Sequence, residues 1–163
     1  MTDPNLPRLL GPDDGDLLGP EGLQDRFLIG AADTGGRLAV VEHRLGPRVL
    51  AAPMHIHERE DEFSYVLEGR VGAILDGHEV EAGPGDLLFK PRGQWHTFWN
   101  AGESPARILE LISPAGLDDL FRHLDNLTEE VAPEELAELA ARYGCSIDFD
   151  VTMPVVERHR LQF

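Results

Sequence analysis

What this chain of 163 residues has little of narrows its chemistry before any motif is read. It has a single cysteine, Cys145, so no disulfide can form within one chain, which fits a reducing compartment. No apolar run approaches the roughly 20 residues that span a bilayer. The opening stretch MTDPNLPRLLGPDDGDLLGPEG is acidic and broken by Pro and Gly, unlike a signal peptide. These absences lead us to expect a cytoplasmic protein with no membrane partner. Basic residues are also scarce: 14 Lys and Arg stand against 30 Asp and Glu, a formal charge of −16. A nucleic-acid backbone or an anionic lipid surface would be repelled by that balance. The acidity names no partner of its own and serves solubility.

The length suits one domain with a sizeable core, and the patterning falls into three parts. Residues 1–24, rich in Pro, Gly and Asp with scattered leucines, read as an N-terminal arm. Residues 25–112 hold the short apolar runs DRFLIG, RLAVVEHRL, FSYVLEG, VGAILDG, HEVEAG, DLLFKP, HTFWNAG and ARILELIS, most of them separated by turn residues. About eight strands at such spacing predict an antiparallel sandwich or barrel. Between VGAIL and HEVEA, Asp76-Gly77 is a hairpin signal, because both positions accept positive φ.

Residues 113–163 change period and predict a helical segment and tail packed on the barrel or on a partner. Ser113 and Pro114 can start a helix whose Leu117, Leu120, Phe121 and Leu124 share a face. A second helix begins near Pro133, lines up Leu136, Leu139, Ala140 and Tyr143, and can end at Gly144. The tail SIDFDVTMPVVERHRLQF reads as strand up to Met153-Pro154.

Within the strand-rich part, HIHEREDE places His55 and His57 on one side of an extended chain. Two imidazoles held that way can share an ion, each through a neutral nitrogen. Taken alone, the pair is weak evidence and reads first as half-exposed histidines beside the charged loop ERED. Glu62 lies at an odd offset from His57, so a turn or bulge over 58–61 must re-aim it. Downstream, GDLLFKPRGQWHTFWN adds Gly85, Pro91, Gly93, His96 and Asn100. Together the stretches read HxHx4Ex6G at 55–69 and Gx5PxGx2Hx3N at 85–100. Nine residue types at fixed spacing, each taken as common as glycine at ~7%, coincide by chance at about 10⁻¹⁰ per placement.

In these two motifs the chain resembles the cupin family over about residues 40–112. One position departs: the family's first motif usually opens with a glycine six residues before the first histidine, and here that residue is Val49. The resemblance implies an all-β core, a jelly-roll β-barrel (double-stranded β-helix), to which the periodicity above adds two C-terminal α-helices. It also implies one metal held by His55, His57, Glu62 and His96. Three neutral imidazoles and one carboxylate suit a divalent first-row ion (Fe, Mn, Ni, Co, Cu or Zn), leave coordination positions open, and give the centre a net charge of about +1.

A barrel this small holds one small molecule in its mouth. The first reading is a dioxygenase similar to the single-domain quercetinase-like cupins, acting on a flavonol or another enolisable, polyhydroxylated compound, with Glu62 taking the hydroxyl proton and dioxygen as second substrate. A second keeps the ion as a Lewis acid for isomerisation, decarboxylation or cyclisation. A third is a non-enzymatic small-molecule binder. His43 and Phe98, at inward-facing positions, are candidate substrate contacts, while His78, His123 and His159 read as solvated. Open sheet edges and the leucines of the arm suggest a homodimer.

Overall fold

The computed structural model of the protein describes residues 6–128 and 131–163, so the first five residues of the expected arm lie outside it. Eleven strands and four helices follow in chain order: β1 Asp16–Leu18, β2 Leu23–Ile29, α1 Ala31–Thr34, β3 Ala39–Leu45, β4 Leu50–His57, β5 Asp61–Glu68, β6 Val71–Leu75, β7 His78–Ala82, β8 Leu87–Lys90, β9 His96–Asn100, β10 Ala106–Ser113, α2 Leu117–Asp125, α3 Pro133–Arg142, β11 Cys145–Ile147 and α4 Phe149–His159. The strands form two antiparallel sheets that face each other, a six-stranded one in the order β1-β2-β3-β10-β5-β8 and a five-stranded one in the order β11-β4-β9-β6-β7. This is the jelly-roll arrangement.

Inward and outward residues alternate along the strands, as the pleat requires. On β10, Ala106, Ile108, Glu110 and Ile112 are buried and their neighbours are not. The Asp76-Gly77 pair turns β6 into β7 with φ of 47° and 81°, and Leu75 faces His78 across the turn. β4 was not among the apolar runs: its sequence LAAPMHIH carries Pro53 and both histidines, so polarity and a missing N–H hid a real strand. Val49, where the family prefers glycine, is buried and accepts a bond from Asn100 N (2.9 Å), while Arg48 takes the left-handed conformation (φ 57°) that turns the chain.

Three features differ from expectation. Ser113 does not cap a helix; it ends β10 opposite Asp61, and α2 starts at Leu117 after Gly116. A strand, β1, forms inside residues 1–24 by pairing with β2. The tail is helical beyond Ile147: the Asp148 carboxylate caps α4 by accepting from Val151 N (3.0 Å), and Pro154 sits within the helix. Thr152 and Val155 face inward, where Val155 joins Leu50, Met54, Ile74 and Trp99 and outweighs the alternation in the tail's sequence.

The helices α2 and α3 are present as the periodicity predicts, and their buried faces decide where they lie. Leu117, Leu120, Leu139 and Ala140 pack with Phe27, Ala39, Val41 and Ile112, the inward residues at one end of the six-stranded sheet. Each fully buried leucine stabilises this seat by about 1.5–3 kcal/mol. The two helices thus roof one mouth of the barrel.

Candidate metal centre

Under that roof the four motif residues meet. His55 and His57 stand on β4 and His96 on β9, neighbouring strands of one sheet in which His55 pairs with His96. Glu62 comes from β5 in the facing sheet. The turn over residues 58–60 moves the chain from one sheet to the other, which is how an odd offset becomes convergence. Gly93, at φ 75°, donates to His57 O (2.8 Å) and so ties the hairpin before His96 to β4. Asn100 anchors the far end: its amide donates to Gly46 O (2.9 Å) and Ser104 O (2.8 Å).

All four side chains are buried, and one donor atom from each lies within 4.8 Å of every other. The imidazole centroids are 4.2, 4.7 and 5.1 Å apart. Two contacts aim lone pairs inward. The Nδ1–H of His55 donates to Pro53 O (2.6 Å) and that of His96 to Gln94 O (3.0 Å), which aims both Nε2 atoms at the centre, where that of His96 lies 3.2 Å from Glu62 Oε2. His57 makes no well-aligned hydrogen bond at either ring nitrogen among the described residues, although it is buried and its Nε2 lies 3.3 Å from Glu62 Oε2. A buried imidazole without an aligned partner is costly in a closed fold and fits a ligand position. This donor set could hold a divalent transition-metal ion.

The electrostatics agree at three of the four residues. Burial, together with the neighbouring imidazoles, holds His55 well below the ordinary histidine range, and burial lowers His96 too. Burial alone would push Glu62 up, but the Lys90 ammonium and His57 hold it well below the usual carboxylate range. Burial would lower His57 as well, but the Glu62 carboxylate outweighs it and raises this imidazole to about 10, so an ion bound here would have to displace the His57 proton.

Sequence reasoning missed the shell behind these residues. Lys90 is buried with Nζ 3.0 Å from Glu62 Oε2 and 3.1 Å from Glu110 Oε2, and Ser64 donates to that Glu110 oxygen (2.6 Å). A signal existed: Lys90 and Glu110 occupy inward positions of the apolar strands LLFK and ARILELIS. His43 and Phe98 are buried near the site, with centroids 5.7 Å apart, and both line the cavity between the cluster and the roof. That cavity is about 140 Å³, and α2 and α3 contribute Leu120, Phe121, Leu124 and Leu136 to it. Cys145 is buried there too, opposite His57 across the β11–β4 ladder. His78 and His123 are exposed as expected. His159 is not fully solvated: its ring lies 4.6 Å from Trp99 and Nε2 is 2.9 Å from Glu79.

Comparison with known proteins joins this geometry to a family. The profile of the cupin domain matches residues 41–112. The chain is 34% identical over 92 residues to the tetracenomycin polyketide synthase protein TcmJ of Streptomyces glaucescens, covering 56% of this chain and 60% of TcmJ. It is 27% identical over 124 residues to quercetin 2,3-dioxygenase of Bacillus subtilis, covering 76% of this chain and 36% of that enzyme. Both matches thus span less than two thirds of the relative's length. Among solved structures, the polyketide cyclase RemF of Streptomyces resistomycificus superposes with a TM-score of 0.56 at 30% identity, covering 66% of this chain and 80% of RemF. No helix among the described residues is long and apolar enough to cross a membrane.

Proposed function

This chain belongs to the cupin family, and on that premise we propose that it holds one divalent first-row metal ion through His55, His57, Glu62 and His96 and acts as a dioxygenase on a small, enolisable, hydroxylated ring compound. The observation that carries this reading is the junction of a four-donor cluster with an apolar, roofed cavity. Dioxygen and a flat ring favour such walls. A sugar phosphate does not, since no lysine or arginine among the described residues lines the cavity. The volume, about 140 Å³, is close to the roughly 150 Å³ that holds benzene in an engineered cavity. A single ring therefore fits, and a three-ring flavonol such as quercetin requires α2 and α3 to part.

A divalent ion held by His55, His57, Glu62 and His96 would supply Lewis acidity and the redox chemistry that dioxygen needs. The protein supplies the rest. Lys90, His57 and His96 gather on Glu62 Oε2 at 3.0, 3.3 and 3.2 Å, leaving Oε1 as the freer acceptor for the substrate's hydroxyl proton. Phe98 offers a ring face beside the site and His43 a polar contact. The roof excludes water, which strengthens each polar contact beneath it.

A second reading, cyclisation or isomerisation without oxygen, draws support from the likeness to the polyketide cyclase RemF. Metal analysis of the purified protein with oxygen-uptake measurements over catechols, hydroxypyranones and flavonols separates the two. The dioxygenase reading expects uptake that tracks metal content; turnover unchanged under anaerobic conditions overturns it in favour of the cyclase.

We also propose a homodimer in an intracellular setting. Leu87 and Phe89 on edge strand β8 are 56% and 50% exposed, and Phe89 stacks on Phe63 at 4.9 Å on the outer face of the six-stranded sheet. A second copy would cover this apolar edge. Sedimentation of Phe89→Glu as a monomer, against a dimeric wild type, is the expected result.

A further inference from the structure

The cavity has a second polar locus away from the four motif residues. His43 on β3 is 6% exposed, and its Nδ1 lies 2.6 Å from Asp25 Oδ1 on β2. This contact occupies Nδ1, and the nearest carboxylate to Nε2 is Glu110 at 3.7 Å, beyond hydrogen-bonding distance. Asp125, in the last turn of α2, lines the same cavity, and its Oδ2 is buried without a hydrogen-bond partner among the described residues. Burial and the nearby Asp25 push the Asp125 carboxyl up to about 7. Most of the other cavity walls are apolar, with Leu23, Phe98, Phe121 and Leu136 among them. A buried carboxyl oxygen without a partner carries an energetic cost that a ligand's hydroxyl would remove.

We propose that Asp25, His43 and Asp125 form a second subsite, which takes a hydroxyl group of a ligand whose other edge chelates the metal. This rests on the metal reading above and sharpens it. The ligand class is a single ring bearing a hydroxy-ketone edge and a hydroxyl donor elsewhere on the ring. Neither function alone suffices: a ring with the chelating edge only leaves the Asp125 oxygen unpartnered, and a plain phenol leaves the metal's open positions to water.

Kojic acid and allomaltol test this. Both present the same chelating edge, and allomaltol carries a methyl group where kojic acid carries hydroxymethyl. The probes are titrated into cobalt(II)-loaded protein, with visible absorption reporting chelation and calorimetry reporting affinity. Kojic acid is expected to bind about tenfold tighter than allomaltol, the scale of one net hydrogen bond. Asp125→Ala should erase that preference without changing cobalt stoichiometry or allomaltol affinity, and Asp125→Asn, which keeps an acceptor, should restore part of it. Equal affinities of the two probes for the wild type, with a shifted cobalt spectrum, overturn the subsite and leave the metal reading standing. The same holds if Asp125→Ala weakens both probes alike. A cobalt spectrum that neither probe shifts overturns the chelating reading, and the subsite with it.

Discussion

At one end of the barrel Leu45, Val66, Val71, Ala106 and Ile108 fill the interior; at the other, His55, His57, Glu62, Lys90, His96 and Glu110 do. The same strands serve both ends. On β5 the inward residues run Glu62, Ser64, Val66, and on β10 they run Ala106, Ile108, Glu110. Two residues along a pleat thus separate a dry packed floor from a charged centre. The floor holds by close packing, which tolerates loss of a methyl group at modest cost. The charged end holds by mutual neutralisation, where each group depends on the next and removal of one partner exposes another to an uncompensated environment. One sheet system thus holds one end by packing and the other by paired charges.

Breaking the comparison at its chemical end should give the largest effect. His55→Ala is expected to reduce metal content from one ion per chain to near zero while far-ultraviolet dichroism stays that of the wild type. Full metal stoichiometry in this variant and in His57→Ala would remove the proposed ligand set. Lys90→Met should come next: it leaves Glu62 and Glu110 facing each other without their ammonium, for a cost of about 3–5 kcal/mol in denaturant unfolding. A loss under about 1 kcal/mol would mean that the buried network is not what holds this end.

A third effect separates the ends by pH. Burial opposes charge on His43, but Asp25 and then Glu110 outweigh it and raise the imidazole to about 9 from 6.5. A group raised in the folded state stabilises fully below its unfolded value and loses that contribution as pH climbs through the folded one. Stability should therefore fall between pH 6.5 and 9, by an amount on the order of 3 kcal/mol, and His43→Gln should flatten the slope. The smallest change belongs to the floor: Ile108→Val should cost about 0.5–1.5 kcal/mol and leave metal content untouched. If it also lowered metal content, the two ends would not be independent.

Much of the site was legible. The histidines, Glu62 and the hairpin at Asp76-Gly77 are fixed by residue types at set spacings, and such local constraints survive in a linear string. The roof was not. Periodicity gave α2 and α3 their apolar faces, but which surface buries them depends on Phe27, Val41 and Ile112, residues far away in the chain. The tail misled because IDFDVT alternates like a strand, while an Asp148 cap and a seat for Val155 beside Trp99 favour a helix. Lys90 and Glu110 escaped notice because a charge on a short strand reads as solvent-facing until its cross-strand neighbours are known.

By itself the sequence determined the family, the strand-rich core and the four residues that cluster, because spacing and side-chain type are properties of the chain alone. Only the tertiary structure decided that Glu62 arrives from the facing sheet, that Lys90 and Glu110 stand behind it, and that two helices close an apolar cavity carrying Asp25, His43 and Asp125. Those relations join segments as distant as β2 and α2, and distance along the chain carries no record of which surfaces meet once apolar area is buried.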